Sequence, residues 1–168
     1  MIAPTIEELW ERYRSKGLLI DSNLLLVYFV ALFDLELVGR FERTRAFSQE
    51  SVILLGNFIR SFKKISTTPN ILTEVSNLSN KLPENVRSEY FRSVAVQVGK
   101  LDETYLASSV VSEMPEFARF GLTDASIAGV ARNQYLVLTD DFRFSNFLRS
   151  EGQDVVNFNH ILQISWGL

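Results

Sequence analysis

Two hydrophobic patterns alternate along this chain. Short unbroken apolar runs end abruptly in acids, and between them apolar residues recur at helical spacing. The run Leu18-Leu19-Ile20 goes straight into Asp21, Ser22 and Asn23. A continuous apolar run closed by polar turn residues predicts a parallel strand buried on both faces, here residues 18–21. The pattern returns at residues 135–139, Tyr135-Leu136-Val137-Leu138-Thr139, which lead into Asp140 and Asp141. Residues 64–68 are a further candidate strand. Residues 155–158 predict the last one, at a sheet edge.

Helices fill the intervals. Residues 5–16 predict a helix with Thr5 as N-cap and Glu8 completing a capping box, ended by Gly17. Ser22–Phe33 reads as a helix that is apolar almost all round, and such a helix is buried in a core or against a partner subunit. Residues 51–62 predict another. Thr68 then suits an N-cap and Pro69 the first helical position, with Ile71, Val75, Leu78 and Leu82 on one face. Glu74 lies on the border of that face, near the helix start. Residues 84–100 form a long helical stretch striped by Val94 and Val98. Residues 106–111 fit a strand or a helix equally. Thr123 suits the N-cap of the next helix, Asp124 its first turn, and Ala125, Ser126, Ala128 and Gly129 suit close packing on a sheet. Residues 142–150 predict a short helix, and 160–168 close the domain.

Composition narrows the class. A chain of 168 residues with 46% hydrophobic residues predicts one globular domain over residues 1–168. It contains no cysteine, which excludes disulfides and thiolate zinc sites and is compatible with a reducing cytoplasm. The single histidine, His160, excludes a multi-histidine metal site. No secretory signal is expected, because Met1-Ile2-Ala3-Pro4-Thr5 leads into Ile6-Glu7-Glu8. The longest apolar run, residues 24–33, falls short of the ~20 residues a membrane span needs. The net charge of -3 decides nothing, because an acidic cluster would mask a basic surface elsewhere. Residues 40–64 are such a surface: Arg40, Arg43, Arg45, Arg60, Lys63 and Lys64 stand against Glu42 and Glu50. They are a solvated face, or Arg40, Arg43, Arg45, Lys63 and Lys64 contact phosphates near the site. Asp102, Glu103, Glu113 and Glu116 read as an acidic solvated face.

Four acid positions share one description. Asp21 and the pair Asp140 and Asp141 end strands; Glu74 and Asp124 open helices. In a parallel sheet with right-handed crossovers, strand carboxyl ends and helix amino ends lie on one edge, so all four positions converge. Each acid alone has an ordinary explanation in helix-dipole or turn chemistry; their coincidence points to a cation. Oxygen-only ligands select hard ions such as Mg²⁺ or Mn²⁺, which activate water and offset charge on a phosphodiester. Ser22, Asn23, Thr123 and Thr139 flank the acids. Competing motifs are absent: there is no phosphate loop and no G-x-G-x-x-G. Asn23 replaces the second acid of an aspartyl phosphatase, and His160 has no nucleophile-elbow sequence to serve.

The ordered set Leu-Ile-Asp21-Ser-Asn, Thr-Pro-Asn-Ile-Leu-Thr-Glu74, Leu-Thr-Asp124-Ala-Ser-Ile and Leu-Thr-Asp140-Asp141-Phe resembles the PIN-domain ribonucleases over nearly the whole chain. The resemblance implies a three-layer α/β/α fold around a mostly parallel sheet. It implies Mg²⁺- or Mn²⁺-dependent endonucleolytic cleavage of RNA, with Asp21, Asp124 and Asp141 as metal ligands. Glu74 would be a ligand, a water-mediated ligand or a base. Asp141 matches the fourth acid through its Thr-any-Asp spacing, with Asp140 as second choice. Many relatives are toxins of toxin–antitoxin pairs, so the resemblance also implies an antitoxin-like protein partner and a homodimer. The segment between Asp21 and Glu74 is longer than in the compact toxins. The alternative is a PIN-like domain that binds RNA or a protein without cutting.

Overall fold

The computed structural model describes residues 3–167. Met1 and Ile2, which the reading above placed ahead of the first helix with no secretory signal, and Leu168, in the closing segment, lie outside the described residues. In chain order the elements are α1 (Ile6–Tyr13), β1 (Leu18–Ile20), α2 (Ser22–Phe33), α3 (Leu35–Arg40), α4 (Gln49–Arg60), β2 (Ile65–Thr67), α5 (Pro69–Ser79) and α6 (Glu84–Val98). They continue with β3 (Asp102–Glu103), α7 (Ser108–Ser112), α8 (Phe117–Ala131), β4 (Leu136–Thr139), α9 (Phe142–Ser150), β5 (Val155–Asn157) and α10 (Phe158–Ser165). The strands form one five-stranded sheet in the order β3-β2-β1-β4-β5, and every pairing is parallel. Helices sandwich it, giving the expected three-layer α/β/α fold. Among the described residues no helix is long and apolar enough to cross a membrane.

The topology locates the site before any side chain is considered. From β1 the chain steps outward to β2 and β3, then returns to β4 on the other side of β1 and ends at β5. The order therefore reverses between β1 and β4, and the crevice at the carboxyl ends of such a pair is where open α/β sheets bind ligands. Asp21 follows β1, and Asp140 and Asp141 follow β4.

Helix α2 holds this arrangement in place. Leu24, Leu25, Leu26, Val27, Phe29 and Val30 are all buried, because α3, α4, α5 and α6 pack round the helix. No partner subunit is needed to cover it. Each such side chain gains roughly 1.5–3 kcal/mol on leaving water, so the core fixes the helix whose first residue follows Asp21. A second anchor joins α5 to α6: the buried Tyr90 hydroxyl meets Ser79 Oγ at 2.9 Å. Val94 and Val98 only pack against the core from outside, so Tyr90, not the valine stripe, seats α6.

Local differences from the pattern have physical reasons. The Thr5–Glu8 capping box forms as predicted. Asp102 and Glu103 are exposed, as expected of a solvated face, and also pair with Ser66 and Thr67 as an edge strand, whereas Glu116, expected on the same face, is buried and accepts a hydrogen bond from Arg132. Residues 106–111 contain no strand; a five-residue helix, α7, starts at Ser108. Thr123 makes no N-cap. α8 is two helical segments joined at Gly121, where φ is 82° and ψ is -174°, so the segment that carries Asp124 starts just beyond Gly121, with Thr123 already inside it and Asp124 in its first turn as expected. That backbone region is nearly closed to residues with a Cβ. Nothing lies within 4 Å of where a Cβ would sit, so the cost of Gly121→Ala is conformational alone. Gly121→Ala is expected to destabilise the protein by about 1–3 kcal/mol in a urea titration and to weaken any ligand held by Asp124, three residues beyond the break. A melt unchanged from wild type would show that the break is not required.

Candidate functional site

Asp21 stands where β1 becomes α2 and is only 8% exposed. Its backbone N–H donates to the Leu138 carbonyl at 2.9 Å, stitching it to β4. As N-cap it accepts the Ser22 N–H on Oδ1 at 2.7 Å. Its Oδ2 accepts the Thr139 hydroxyl at 2.6 Å. Burial pushes the Asp21 carboxyl up to about 6, against the two hydrogen bonds that favour its charge, and Asp140 and Glu74 push the same way.

Thr139 is the hinge pin between the two strand ends. Its Oγ1 donates to Asp21 and accepts the Asp141 N–H at 3.0 Å. Asp141 caps α9, accepting the Phe144 N–H on Oδ1 at 2.9 Å. Asp140 turns the other way, and its Oδ2 accepts Asn23 Nδ2–H at 2.6 Å. Its carboxyl is raised by burial and by Asp141, and lowered by the Asn23 bond. Asp140 and Asp141 thus each spend one oxygen on structure, and Asp21 accepts a hydrogen bond on both.

Two helices deliver the remaining acids. Glu74 projects from α5, in the second turn and not the first as expected, and its side chain is exposed to the crevice instead of lying along the core. Asp124 follows the Gly121 break in α8. Its carboxyl is pushed up to about 7, chiefly by burial and then by Asp21, Glu74 and Asp141. Thr68 Oγ1 and Ser126 Oγ meet at 3.3 Å and tie the start of α5 to α8.

The structure brings all five predicted acids to one cavity of about 400 Å³, lined by Asp21, Asn23, Glu74, Asp124, Asp140 and Asp141. No Lys, Arg or His lines it. Among the described residues no three carboxylates stand close enough to close round an ion as they are. They face the cavity from separate elements, and Glu74 and Asp141 are exposed side chains with room to move. The donor set fits a hard divalent ion: it is all oxygen, carries several negative charges and opens to water.

Of the flanking residues, Asn23 and Thr139 hold acids, whereas Thr123 holds none and the buried Ser22 Oγ has no partner among the described residues. Two supports escaped pattern reading. Asn159 Nδ2 donates to the Asp140 carbonyl at 3.0 Å, and Asn157 Oδ1 accepts the Asn159 N–H at 3.0 Å. The signal was present, since Asn157 closes an apolar run as Asp21 does. One expectation is corrected. Lys63 and Lys64 cannot reach phosphates at this cavity, because they precede β2 at the amino edge of the sheet. There Lys64 pairs with Asp102 and lies over Tyr135, and Lys63 N–H bonds the Arg14 carbonyl. Arg40 is engaged with Asp34.

Thr139→Val removes the hydroxyl that favours ionised Asp21. It is expected to raise the Asp21 pKa further and to cost about 1.5–3 kcal/mol at pH 8, the range for hydrogen bonds to charged groups. Thr139→Ser, which keeps the hydroxyl, should recover most of this in paired urea melts. Equal losses in the two variants would show that the methyl packing matters and the hydroxyl does not.

Comparison with protein-family models, with curated proteins and with solved structures finds no match for this chain.

Proposed function

We propose that this chain is a metal-dependent endoribonuclease of the PIN-domain kind, hydrolysing RNA phosphodiesters. The observation that carries this is the convergence of five carboxylates, from β1, α5, α8 and β4 or the turns that follow them, on one cavity at the β1–β4 switch point. A cavity with this charge and no cation of its own repels a phosphodiester, so binding one calls for cations from solution. The ordered acid motifs, which resemble those of the PIN ribonucleases, support RNA as the substrate.

Asp21, Asp124 and Asp141 would hold Mg²⁺ or Mn²⁺, with Asp140 beside them. The ion supplies a water of lowered pKa and charge to set against the phosphate. Asp21 is the fixed member, held by Thr139 and the head of α2. Glu74 makes no side-chain hydrogen bond among the described residues. Like Asp124, which also makes none, it would be free to bind the ion, directly or through water, and it could take a proton from the attacking water. Asn23 keeps Asp140 in place. The family resemblance adds a cytoplasmic setting, an antitoxin-like protein partner and a homodimer to this reading.

End-labelled RNA incubated with the protein in Mn²⁺ should be cut internally and stay intact in EDTA, with DNA of the same sequence as comparator. RNA that is bound yet uncut in Mn²⁺ would make the chain a binding module instead.

A further inference from the structure

The acidic cavity has no cation in its lining, yet two arginines sit on the elements that lead into it. Arg143 is two residues beyond Asp141, in the first turn of α9. Arg119 lies on α8 just before the Gly121 break, five residues ahead of Asp124. Both are exposed. Among the described residues neither has a carboxylate partner.

What holds them is aromatic. The Arg119 guanidinium carbon is 5.1 Å from the Phe120 ring centre and 5.2 Å from that of Phe147. That of Arg143 is 5.1 Å from the same Phe120 ring. Arg143 Nη2–H donates to the Arg119 carbonyl at 3.4 Å. Phe120 is itself wedged against Phe144 and Phe147, at 5.4 and 4.9 Å between ring centres, and Phe144 is fully buried. A guanidinium held over a ring spends no N–H on it, so the N–H groups of Arg119, and those of Arg143 not given to the Arg119 carbonyl, are left to meet phosphate oxygens. Two like charges gathered on one ring repel each other, and an anion between them relieves the repulsion.

We infer that Arg119 and Arg143 bind a backbone phosphate of a single-stranded nucleic acid next to the phosphodiester presented to the acidic centre. The subsite rests on the nuclease reading for its substrate, and it narrows that substrate. The acidic centre takes one phosphodiester and the arginine pair takes a neighbouring phosphate, so the ligand is a strand with at least two phosphates and not a small diester. This division also assigns the backbone contacts to the α8–α9 side of the cavity instead of to Lys63 and Lys64.

The test is binding of a fluorescent twelve-nucleotide RNA, and of a dinucleoside monophosphate, in Mn²⁺ across a salt series, with DNA of the same sequence as a second strand. Arg119→Gln/Arg143→Gln should weaken the twelve-nucleotide RNA by about 10–100-fold. It should reduce the slope of log K against log salt by about 0.7, the share of the one phosphate that the pair neutralises. The dinucleoside monophosphate, with a single phosphate, should lose less than about threefold. Arg119→Lys/Arg143→Lys keeps the charge and should keep the slope, which also covers the case in which the glutamine variant fails to fold. An unchanged slope in the glutamine variant, or an equal loss for both ligands, overturns the subsite. RNA bound with the expected slope but never cut overturns the nuclease reading and leaves the subsite standing. RNA cut with no change in slope does the reverse, and no binding of either strand by wild type overturns both.

Discussion

Asp21→Asn is expected to lower Mn²⁺-dependent RNA cleavage by about three orders of magnitude, roughly 4 kcal/mol of transition-state stabilisation, in a protein that still folds. The fold survives because the structural duties of Asp21 are hydrogen bonds, not charge. An Asn oxygen can still accept the Ser22 N–H that caps α2. Its NH₂ can donate to Thr139 Oγ1, reversing the present bond. The backbone link to Leu138 is untouched. What Asn cannot do is bring a negative charge to the centre. Removing that charge also relieves Asp124, whose carboxyl is raised in part by Asp21, so the metal-free variant should melt no lower than wild type at pH 7.5. Single-turnover cleavage of labelled RNA by purified Asp21→Asn is the measurement. Wild-type rates would end the proposal that this cavity does the chemistry, whereas a collapsed rate in an unfolded protein would carry no weight, so the melt is run alongside.

The second large effect is on stability, and its sign follows from the raised acids. Asp124 moves from 3.8 to about 7 and Asp21 from 3.8 to about 6, in both cases mainly through burial, with neighbouring carboxylates adding to it. An acid whose folded pKa exceeds its unfolded value binds protons more readily in the folded state. Its contribution to stability is therefore complete below about pH 4, the unfolded value, and is lost as pH climbs through about 6 for Asp21 and about 7 for Asp124. Asp124 is only partly buried, so water relaxes part of this strain. A difference of about 1–2 kcal/mol between Asp124→Asn and wild type is expected at pH 7.5 in favour of the variant, shrinking to nothing near pH 4. Mn²⁺ should reverse the order. At a hundred-fold excess over its dissociation constant it stabilises wild type by about 2.7 kcal/mol, and the variant much less. Thermal melts at several pH values, with and without Mn²⁺, test the whole pattern. If Asp124→Asn is less stable than wild type at pH 7.5 and Mn²⁺ moves neither melt, the acids are ordinary capping and strand-end residues.

The five acids are legible in the sequence because strand ends and helix starts leave marks in the pattern. Leu18-Leu19-Ile20 and Leu136-Val137-Leu138 are fully buried centre strands, and burial on both faces writes them as unbroken apolar runs. The acids that close them need no further inference to be placed on one edge. Glu74 is legible only through helical period, which fixes its side of α5 but not its depth, hence the misplaced turn. What escapes is information carried by the backbone or by distance. The Gly121 break depends on a positive φ that Phe-Gly-Leu-Thr does not advertise, so Thr123 looks like a cap. Lys63 and Lys64 sit between two motif acids in the chain, yet β2 separates them in space from the edge those acids share. Arg119 and Arg143 stand out only once α8 and α9 are packed and Phe120 is seen beneath both guanidiniums.

The edge strand β3 has a consequence for how such a sheet survives in a crowded cell. Its one neighbour, β2, is a short strand, Ile65-Ser66-Thr67, whose unpaired backbone would template cross-chain pairing if that edge were bare. β3 covers β2 with only two residues, Asp102 and Glu103, both exposed and both acidic. A second copy approaching that edge would meet like charges opposite one another and too little strand to pair with. The sheet thus ends, on this side, in a stop against aggregation.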